Sequence, residues 1–344
     1  MSYSSLNNAI AGIPGPDSFR NKIINGNFFS GGWQRGTSLS AASSLRMLAD
    51  RWWTGAVGAT IAPSQVAFTV GQTSVPYEPT FHHRAVVVAG SADGDYAYQY
   101  LRIEDVRTLA GQTTTLSFYA KADANKNIAF YLAQTFGGAE ATVYLSPVTC
   151  ALTSTWQKFT VTISMPSIAG KTITGNGYLQ FVIWYDAGTT FNSYTNSLGH
   201  QSGTFDIAQV QLEAGSIATP FEQRPYTVEL ALCQRHCYRR DFSGTQTVGF
   251  GISASATAAW IDITLPVCMY ASPALSFSGD MWVSNLVDAT GALETPYLTM
   301  SQCIPPYNKV LLITKNANFA AKQPCCLNGN TAAAGSYIMF TAEI

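Results

Sequence analysis

The ten residues Thr113–Ala122, TTTLSFYAKA, decide the fold. Leu116, Phe118 and Ala120 alternate with Ser117, Tyr119 and Lys121, and that period of two places the first three on one face of a strand and the others on its opposite face. The pattern repeats outward in both directions. YAYQYLRIE (96–104) turns Leu101 and Ile103 inward and leaves Tyr98, Tyr100 and Arg102 outside. NIAFYLAQ (127–134) sends Ile128, Phe130 and Leu132 in and Tyr131 out. YLQFVIWYDA (178–187) sends Leu179, Phe181 and Ile183 in, with Gln180, Val182 and Trp184 out. RAVVVAG (84–90) reads as a continuous buried run, and WQKFTVTISM (156–165) and GTFDIAQVQLEAG (203–215) extend the series. Gly, Asn, Asp and Pro punctuate the gaps. Short strands at this spacing predict a β-sandwich or jelly roll over residues 21–225.

The flanks differ. Residues 226–240, YTVELALCQRHCYRR, have no Gly and carry Leu230, Cys233 and Cys237 at helical offsets. They predict a short connecting helix, with Pro225 as the boundary before it. Residues 241–344 return to strand patterns and predict a smaller C-terminal β-sandwich domain. Residues 1–20, with two prolines and two glycines in AGIPGPDSF, cannot make a core. They read as an extended arm, either a free tail or a segment that docks on another protein. The whole is an all-β chain.

Composition narrows the function. Charged residues are 11% of the 344, against roughly 25% in an average globular domain. The polar surface therefore comes from Ser, Thr, Asn, Gln and Gly, which suit sheets and tight turns. The net charge of -1 offers no basic excess for a phosphate backbone, so no nucleic-acid partner is expected. No apolar run approaches the ~18 residues of a membrane span, and no membrane insertion is expected. MSYSSLNNAI lacks the pattern of a signal peptide. Seven cysteines, an odd and scattered set, read as reduced, buried thiols. G-x-S-x-G, H-E-x-x-H and P-loop motifs are absent, and the expected role is non-catalytic. His82-His83 reads as part of an exposed loop, and Cys233, His236 and Cys237 as one packed helical face. Trp33, Trp52 and Phe28 read as core. Asp50-Arg51 reads as a local ion pair or turn contact, and Arg35 is a candidate partner for Glu213.

Two resemblances follow from particular residues. Asn21, Ile23, Ile24, Asn25-Gly26-Asn27-Phe28 and Trp33, with FDIAQVQLEAG (205–215) as closing strand, resemble the opening and closing strands of jelly-roll carbohydrate-binding modules. More of the chain resembles bacteriophage tail-fibre and receptor-binding proteins. That likeness is carried by WQRGTS (33–38), DRW (50–52), QLE (211–213), ATPFE (218–222), RPY (224–226), Glu229-Leu230 and CQR (233–235). The chain departs at His236-Cys237, where that family carries tyrosines. The resemblance implies a virion protein made in the host bacterial cytoplasm, joined to another virion protein through residues 1–20. It further implies a homotrimer that adheres to bacterial surface glycan. The carbohydrate-binding resemblance also implies a structural calcium as the one cofactor to consider, for which Asn25, Asn27, Asp206 and Glu213 are candidate ligands.

Strand alternation supplies a site independently. Tyr98, Tyr100, Tyr119, Tyr131 and Trp184, with Arg102 and Gln180, lie on faces turned away from the core. Flat rings stack on the CH-rich faces of sugars, and Arg and Gln bind hydroxyls. The same amphipathic aromatics are enriched at subunit interfaces. A glycan groove and a trimer interface both remain open. So do a structural fibre or decoration protein without glycan binding, and a polysaccharide depolymerase.

Overall fold

The computed structural model describes residues 19–242, 246–255, 258–278, 281–285, 291–292, 299–303, 309–315, 322–329 and 336–344. Residues 1–18 of the expected arm lie outside the described residues. The described chain divides into two compact units between Leu230 and Ala231.

In the first unit the strands are β1 (Arg46–Met47), β2 (Trp52–Val57), β3 (Thr60–Ala67), β4 (Phe81–Val88), β5 (Tyr96–Glu104), β6 (Thr113–Ala122), β7 (Lys126–Thr135), β8 (Val143–Tyr144), β9 (Val148–Leu152), β10 (Gln157–Ser164), β11 (Tyr178–Ala187) and β12 (Gly203–Ala214). One sheet runs β1-β2-β5-β11-β7-β8, with β9 also on β7, and the other runs β10-β6-β12-β4-β3. Every pairing is antiparallel. The two sheets close on one apolar core, and the inward sets expected from alternation all lie in it. Phe118 of one sheet meets Phe130 of the other edge to face at 5.9 Å. Trp33, Trp52 and Phe28 are buried there as expected.

The opening segment, residues 21–28, is turn and irregular backbone and not the strand its resemblance implies, and its motif residues hold that core shut. Asn21 Oδ1 accepts from the backbone N–H groups of Ile23 (2.9 Å) and Leu212 (3.0 Å), and its Nδ2 donates to Val210 O (3.1 Å). The opening segment is thus stitched along β12. Gly26 is required there, because a Cβ would stand 2.2 Å from Val210 O. Asn25, at φ +57°, donates through Nδ2 to the carbonyls of Gly32 (2.8 Å) and Asp50 (3.0 Å). Its own N–H donates to Glu229 Oε1 at 2.5 Å, and Glu229 Oε2 also takes Arg224 at 3.0 Å. Arg224 reaches Asn21 O as well. The spaced motifs of the sequence are therefore one hydrogen-bonded closure between the start and the end of this unit. Arg20 joins it through Pro220 O at 2.6 Å.

Several sequence expectations are corrected. RAVVVAG is not a continuous buried run: Ala85 and Val87 are buried, while Val86 and Val88 are exposed, since only one face of β4 meets the core. His82 and His83 are not in an exposed loop but buried near the start of the same strand. Arg35 pairs with Asp50 at 2.8 Å rather than with Glu213. Glu213 instead takes the N–H and hydroxyl of Thr219 (2.9 and 2.6 Å) and faces Arg20 at 3.3 Å.

The helix expected over 226–240 ends at Gln234, and Cys237–Phe242 is a strand, β13. A ready partner, Ser336–Thr341, pairs with β13 along its whole length, and that tertiary ladder overrides the local helical spacing. Cys237 therefore shares no helical face with Cys233. The second unit continues with β14 (Thr247–Ser255), β15 (Ala258–Thr264), β16 (Ala274–Ser278), β17 (Met281–Asn285), β18 (Gly291–Ala292), β19 (Thr299–Cys303), β20 (Lys309–Lys315), β21 (Pro324–Gly329) and β22 (Ser336–Thr341). Sheets β13-β22-β16 and β18-β17-β21-β14-β15-β20-β19 share a core that includes Phe242, Ile261, Leu327, Ile338 and Phe340. The nearly all-β fold class expected from the sequence holds in both units. No helix among the described residues is long and apolar enough to cross a membrane.

Candidate functional site

The outer face of the β2-β5-β11-β7 sheet carries most of the expected site. Register brings the rings together. Trp53 lies opposite Tyr100 and Gly55 opposite Tyr98, while Trp184 pairs with Tyr98, and Gln180 with Arg102. The result is a ladder of rings across the sheet. Trp53 stacks on Tyr100 at 6.1 Å and 13°, Tyr100 on Tyr98 at 5.6 Å and 22°, and Tyr98 meets Trp184 at 5.2 Å. Arg102 lies 4.5 Å over the ring of Tyr178 and 5.3 Å from that of Tyr100. Such pairs contribute about 0.5–1.5 kcal/mol each beyond their buried area, so the ladder is pre-ordered.

Half of the ladder is covered by its own chain. Tyr185 keeps the inward parity of Leu179, Phe181 and Ile183, and its hydroxyl donates to Gln99 Oε1 at 2.9 Å in the core, while the register of β11 shifts between Trp184 and Asp186. The buried Asp186 accepts from the N–H groups of Gly90 (3.0 Å) and Gln201 (2.7 Å) and contacts His200 Nδ1 at 3.0 Å. These contacts clamp the two ends of segment 188–200, and its middle folds back over the rings. Phe191 packs on Trp184 and Tyr96 at 5.1 Å each, and Tyr194 on Tyr144 at 5.1 Å. Tyr131 and Trp184 are consequently buried, at 8% and 6% exposure, and Tyr100, at 4%, is enclosed by Trp53, Tyr98 and Arg102. Trp53, Tyr96, Tyr98, Arg102 and Gln180 remain half-exposed. Leu45 and Val57 are exposed at the same edge.

The open half is the candidate site. Tyr98 acts there as a neutral hydrogen-bonding group: burial pushes it up to about 12, helped by Tyr96 and Tyr100 and opposed by Arg102. Burial likewise raises Tyr131, with Tyr144 and Tyr194 adding to it. The arrangement offers stacked ring faces, a guanidinium and an amide.

Tyr119 is separate from this group. It stands on β6 in the other sheet, whose outer face it shares with Lys121. Trp53 and Tyr96 belong to the site although the sequence reading did not select them. Trp52 faces the core, so strict alternation would have turned Trp53 outward, and Tyr96 extends the Tyr98-Tyr100 series. Phe191 and Tyr194 lie in a non-strand segment and carry no such signal.

The four expected calcium ligands do not converge. Asp206 and Glu213 are seven positions apart on β12, about 20 Å at the rise of a strand, whereas calcium–oxygen bonds are about 2.3–2.6 Å. Asp206 is held by Arg84 through two hydrogen bonds of 2.7 and 2.9 Å and faces His82 and Lys121 at 3.5 Å. Burial alone would raise its pKa, but the hydrogen bonds from Arg84 and His82 outweigh it and hold the carboxyl well below the usual range. Asn25 Oδ1 and Asn27 Oδ1 are buried without hydrogen-bond partners, yet two amide oxygens fall short of the about six to eight that calcium takes. Among the described residues no cluster of three His, Cys, Asp or Glu side chains is placed to hold a metal.

No family model matches the chain, and no curated protein matches it. Solved structures do. A family 11 carbohydrate-binding module from Clostridium thermocellum, in complex with a β-1,3-1,4-mixed-linked tetrasaccharide, is 13% identical with a TM-score of 0.34, covering 52% of this chain and 99% of that one. The CBM22-2 xylan-binding domain of Paenibacillus barcinonensis Xyn10C is 18% identical with a TM-score of 0.31, covering 48% and 92%. The enzymatically active domain of bacteriophage CBA120 tailspike protein 4 is 13% identical with a TM-score of 0.34, covering 57% of this chain and 22% of the tailspike chain.

Proposed function

We propose that this chain is a non-catalytic adhesive protein of a phage virion that binds bacterial surface glycan through the open half of the aromatic ladder. The observation that carries the reading is the stacked series Trp53-Tyr100-Tyr98, in which Trp53 and Tyr98 stay half-exposed on either side of the buried Tyr100, with Arg102 and Gln180 beside them. Ring faces held parallel before a ligand arrives lose little freedom on binding, which favours affinity for a flat, CH-rich partner. The neutral Tyr98 phenol and a guanidinium then meet its hydroxyls. The motifs shared with tail-fibre proteins support the virion role, and attachment through residues 1–20 belongs to the same proposal.

The homotrimer is part of the proposal too. Phe250, Ile252 and Trp260 are exposed together on β14 and β15 of the second unit, where Ile252 pairs with Trp260. Exposed apolar residues grouped in this way suit a subunit contact. A trimer by light scattering that falls to monomer with Trp260→Ser supports it, and a monomer in the native chain removes it.

The glycan reading is tested on an array of lipopolysaccharide O-chains and capsular polysaccharides. Retention of at least one polysaccharide without release of reducing ends is the expected result. Release of reducing ends would instead make the chain a depolymerase, and no retention at all would favour a structural fibre or decoration protein.

A further inference from the structure

On the opposite sheet, the outer face of β6 and β12 contains a cavity of about 180 Å3. Its origin lies in the closure described above. Val210 is pulled toward the opening segment by Gly26 O, which accepts its N–H at 2.8 Å, and by Asn21, which donates to its carbonyl. The ladder between β12 and β6 accordingly breaks between Ala208 and Gln211. Gln209 is left at φ +50°, a left-handed conformation that a non-glycine residue adopts only when its surroundings impose it. Tyr77 and Glu78, in the loop before β4, stand at φ +67° and +46°. Gln209 Nε2 donates to Pro76 O in that loop at 2.6 Å, and Gln223 donates to Tyr77 O at 3.1 Å. Two of these left-handed residues, Gln209 and Tyr77, line the cavity.

Its lining has a definite chemistry. Tyr77, Tyr119 and Phe221 give ring surface, Ser117 a hydroxyl, and Lys158 an ammonium. Gln209 is 3% exposed, and because Nε2 is committed to Pro76, its Oε1 remains a buried acceptor with no hydrogen-bond partner. A buried acceptor of this kind is costly unless a donor reaches it. It repels phosphate or carboxylate and asks for an O–H or N–H. At ~30 Å3 per water the space holds about six waters, a volume that suits one small ring.

We propose that this cavity is a second saccharide site, independent of the ladder, which takes a single terminal sugar ring. One hydroxyl of the sugar donates to Gln209 Oε1, its apolar face rests on Tyr119, and Lys158 donates to an outward oxygen.

The test is saturation-transfer NMR on the full chain with methyl α-glucoside, methyl α-galactoside and glucuronate as probes, comparing the native chain with Trp53→Ala, Tyr119→Ala and Gln209→Leu. Transfer to at least one sugar should persist in Trp53→Ala and weaken about tenfold or more in Tyr119→Ala and in Gln209→Leu. Tyr119 is half-exposed, so its variant keeps the test valid if Gln209→Leu fails to fold. The proposal is overturned by no transfer from any of the three sugars in the native chain. It is equally overturned by transfer unaffected by Tyr119→Ala, or by transfer lost in Trp53→Ala, which would assign the signal to the ladder. Failure of the ladder as a polysaccharide site leaves these outcomes unchanged.

Discussion

The two outer faces of the first sandwich obey the same alternation and end in different chemistry. On the β2-β5-β11-β7 face, rings stack on rings, and a returning segment of the chain covers half of them. On the β6-β12-β4 face, a buried carboxylate is surrounded by nitrogen groups: Asp206 lies beneath Arg84, His82 and Lys121. There the aromatic residues serve the charges. Phe68 and Trp156 enclose His82 at 4.7 and 5.2 Å, and Lys121 rests 5.5 Å over Trp156. Pattern fixes which way a side chain points. What then lies over it depends on segments distant in sequence, and that decides whether the face serves as core, ion-pair network or open surface.

Trp184→Ala should break the covered half of the ladder most severely. Trp184 is packed by Tyr98, Tyr96 and Phe191, so its removal should cost about 3–5 kcal/mol in denaturant unfolding of the first unit. A loss below about 1 kcal/mol would mean that segment 188–200 does not cover the face. Next in size is Asp206→Ala on the charged face. It leaves His82 and Arg84 without their carboxylate, and the expected cost is about 2–4 kcal/mol, discounted because Arg84 is partly exposed. An unchanged midpoint would show that the network contributes nothing to stability.

Acid sharpens the contrast between the core and the two surfaces. Burial, with a further push from His82 and some opposition from Asp206, lowers His83 to about 3. The unfolded chain binds that proton below about 6.5 and the folded chain does not. Stability should therefore fall as the pH drops from about 6.5 toward 3, by about 2 kcal/mol at pH 5. Asp206, with a depressed folded pKa, adds a further loss below about pH 4. Urea midpoints that stay flat between pH 7 and 5 would contradict the buried, neutral His83. The smallest effect should come from Trp53→Ala. That residue is half-exposed on the open half, so its loss should move stability by less than about 1 kcal/mol.

Much of this was legible in the sequence. Alternation placed Leu116, Phe118, Leu101, Phe130 and Phe181 in the core and turned Tyr98, Tyr100, Tyr131 and Trp184 outward, and each lies where its parity put it. Parity could not show that Tyr119 faces out from the other sheet, because strand order is a long-range property. Nor could it show that Tyr131 and Trp184 are covered, since Phe191 and Tyr194 come from a segment with no strand period. The calcium set failed for a related reason: Asn25, Asn27, Asp206 and Glu213 are motif residues whose partners, Asp50, Arg84 and Thr219, are remote or unremarkable in sequence. His82-His83 misled because two adjacent polar residues resemble a loop, when one faces the core and the other an enclosed ion pair.

The most direct test of the central claim is a calorimetric titration of the full chain with whichever polysaccharide the array retains, repeated for Trp53→Ala and Tyr98→Ala. Each variant should bind at least about tenfold more weakly, a loss of about 1.4 kcal/mol, and Trp53→Ala should do so with an unfolding midpoint close to that of the native chain. Native affinity in both variants would show that the open half of the ladder is not where glycan binds.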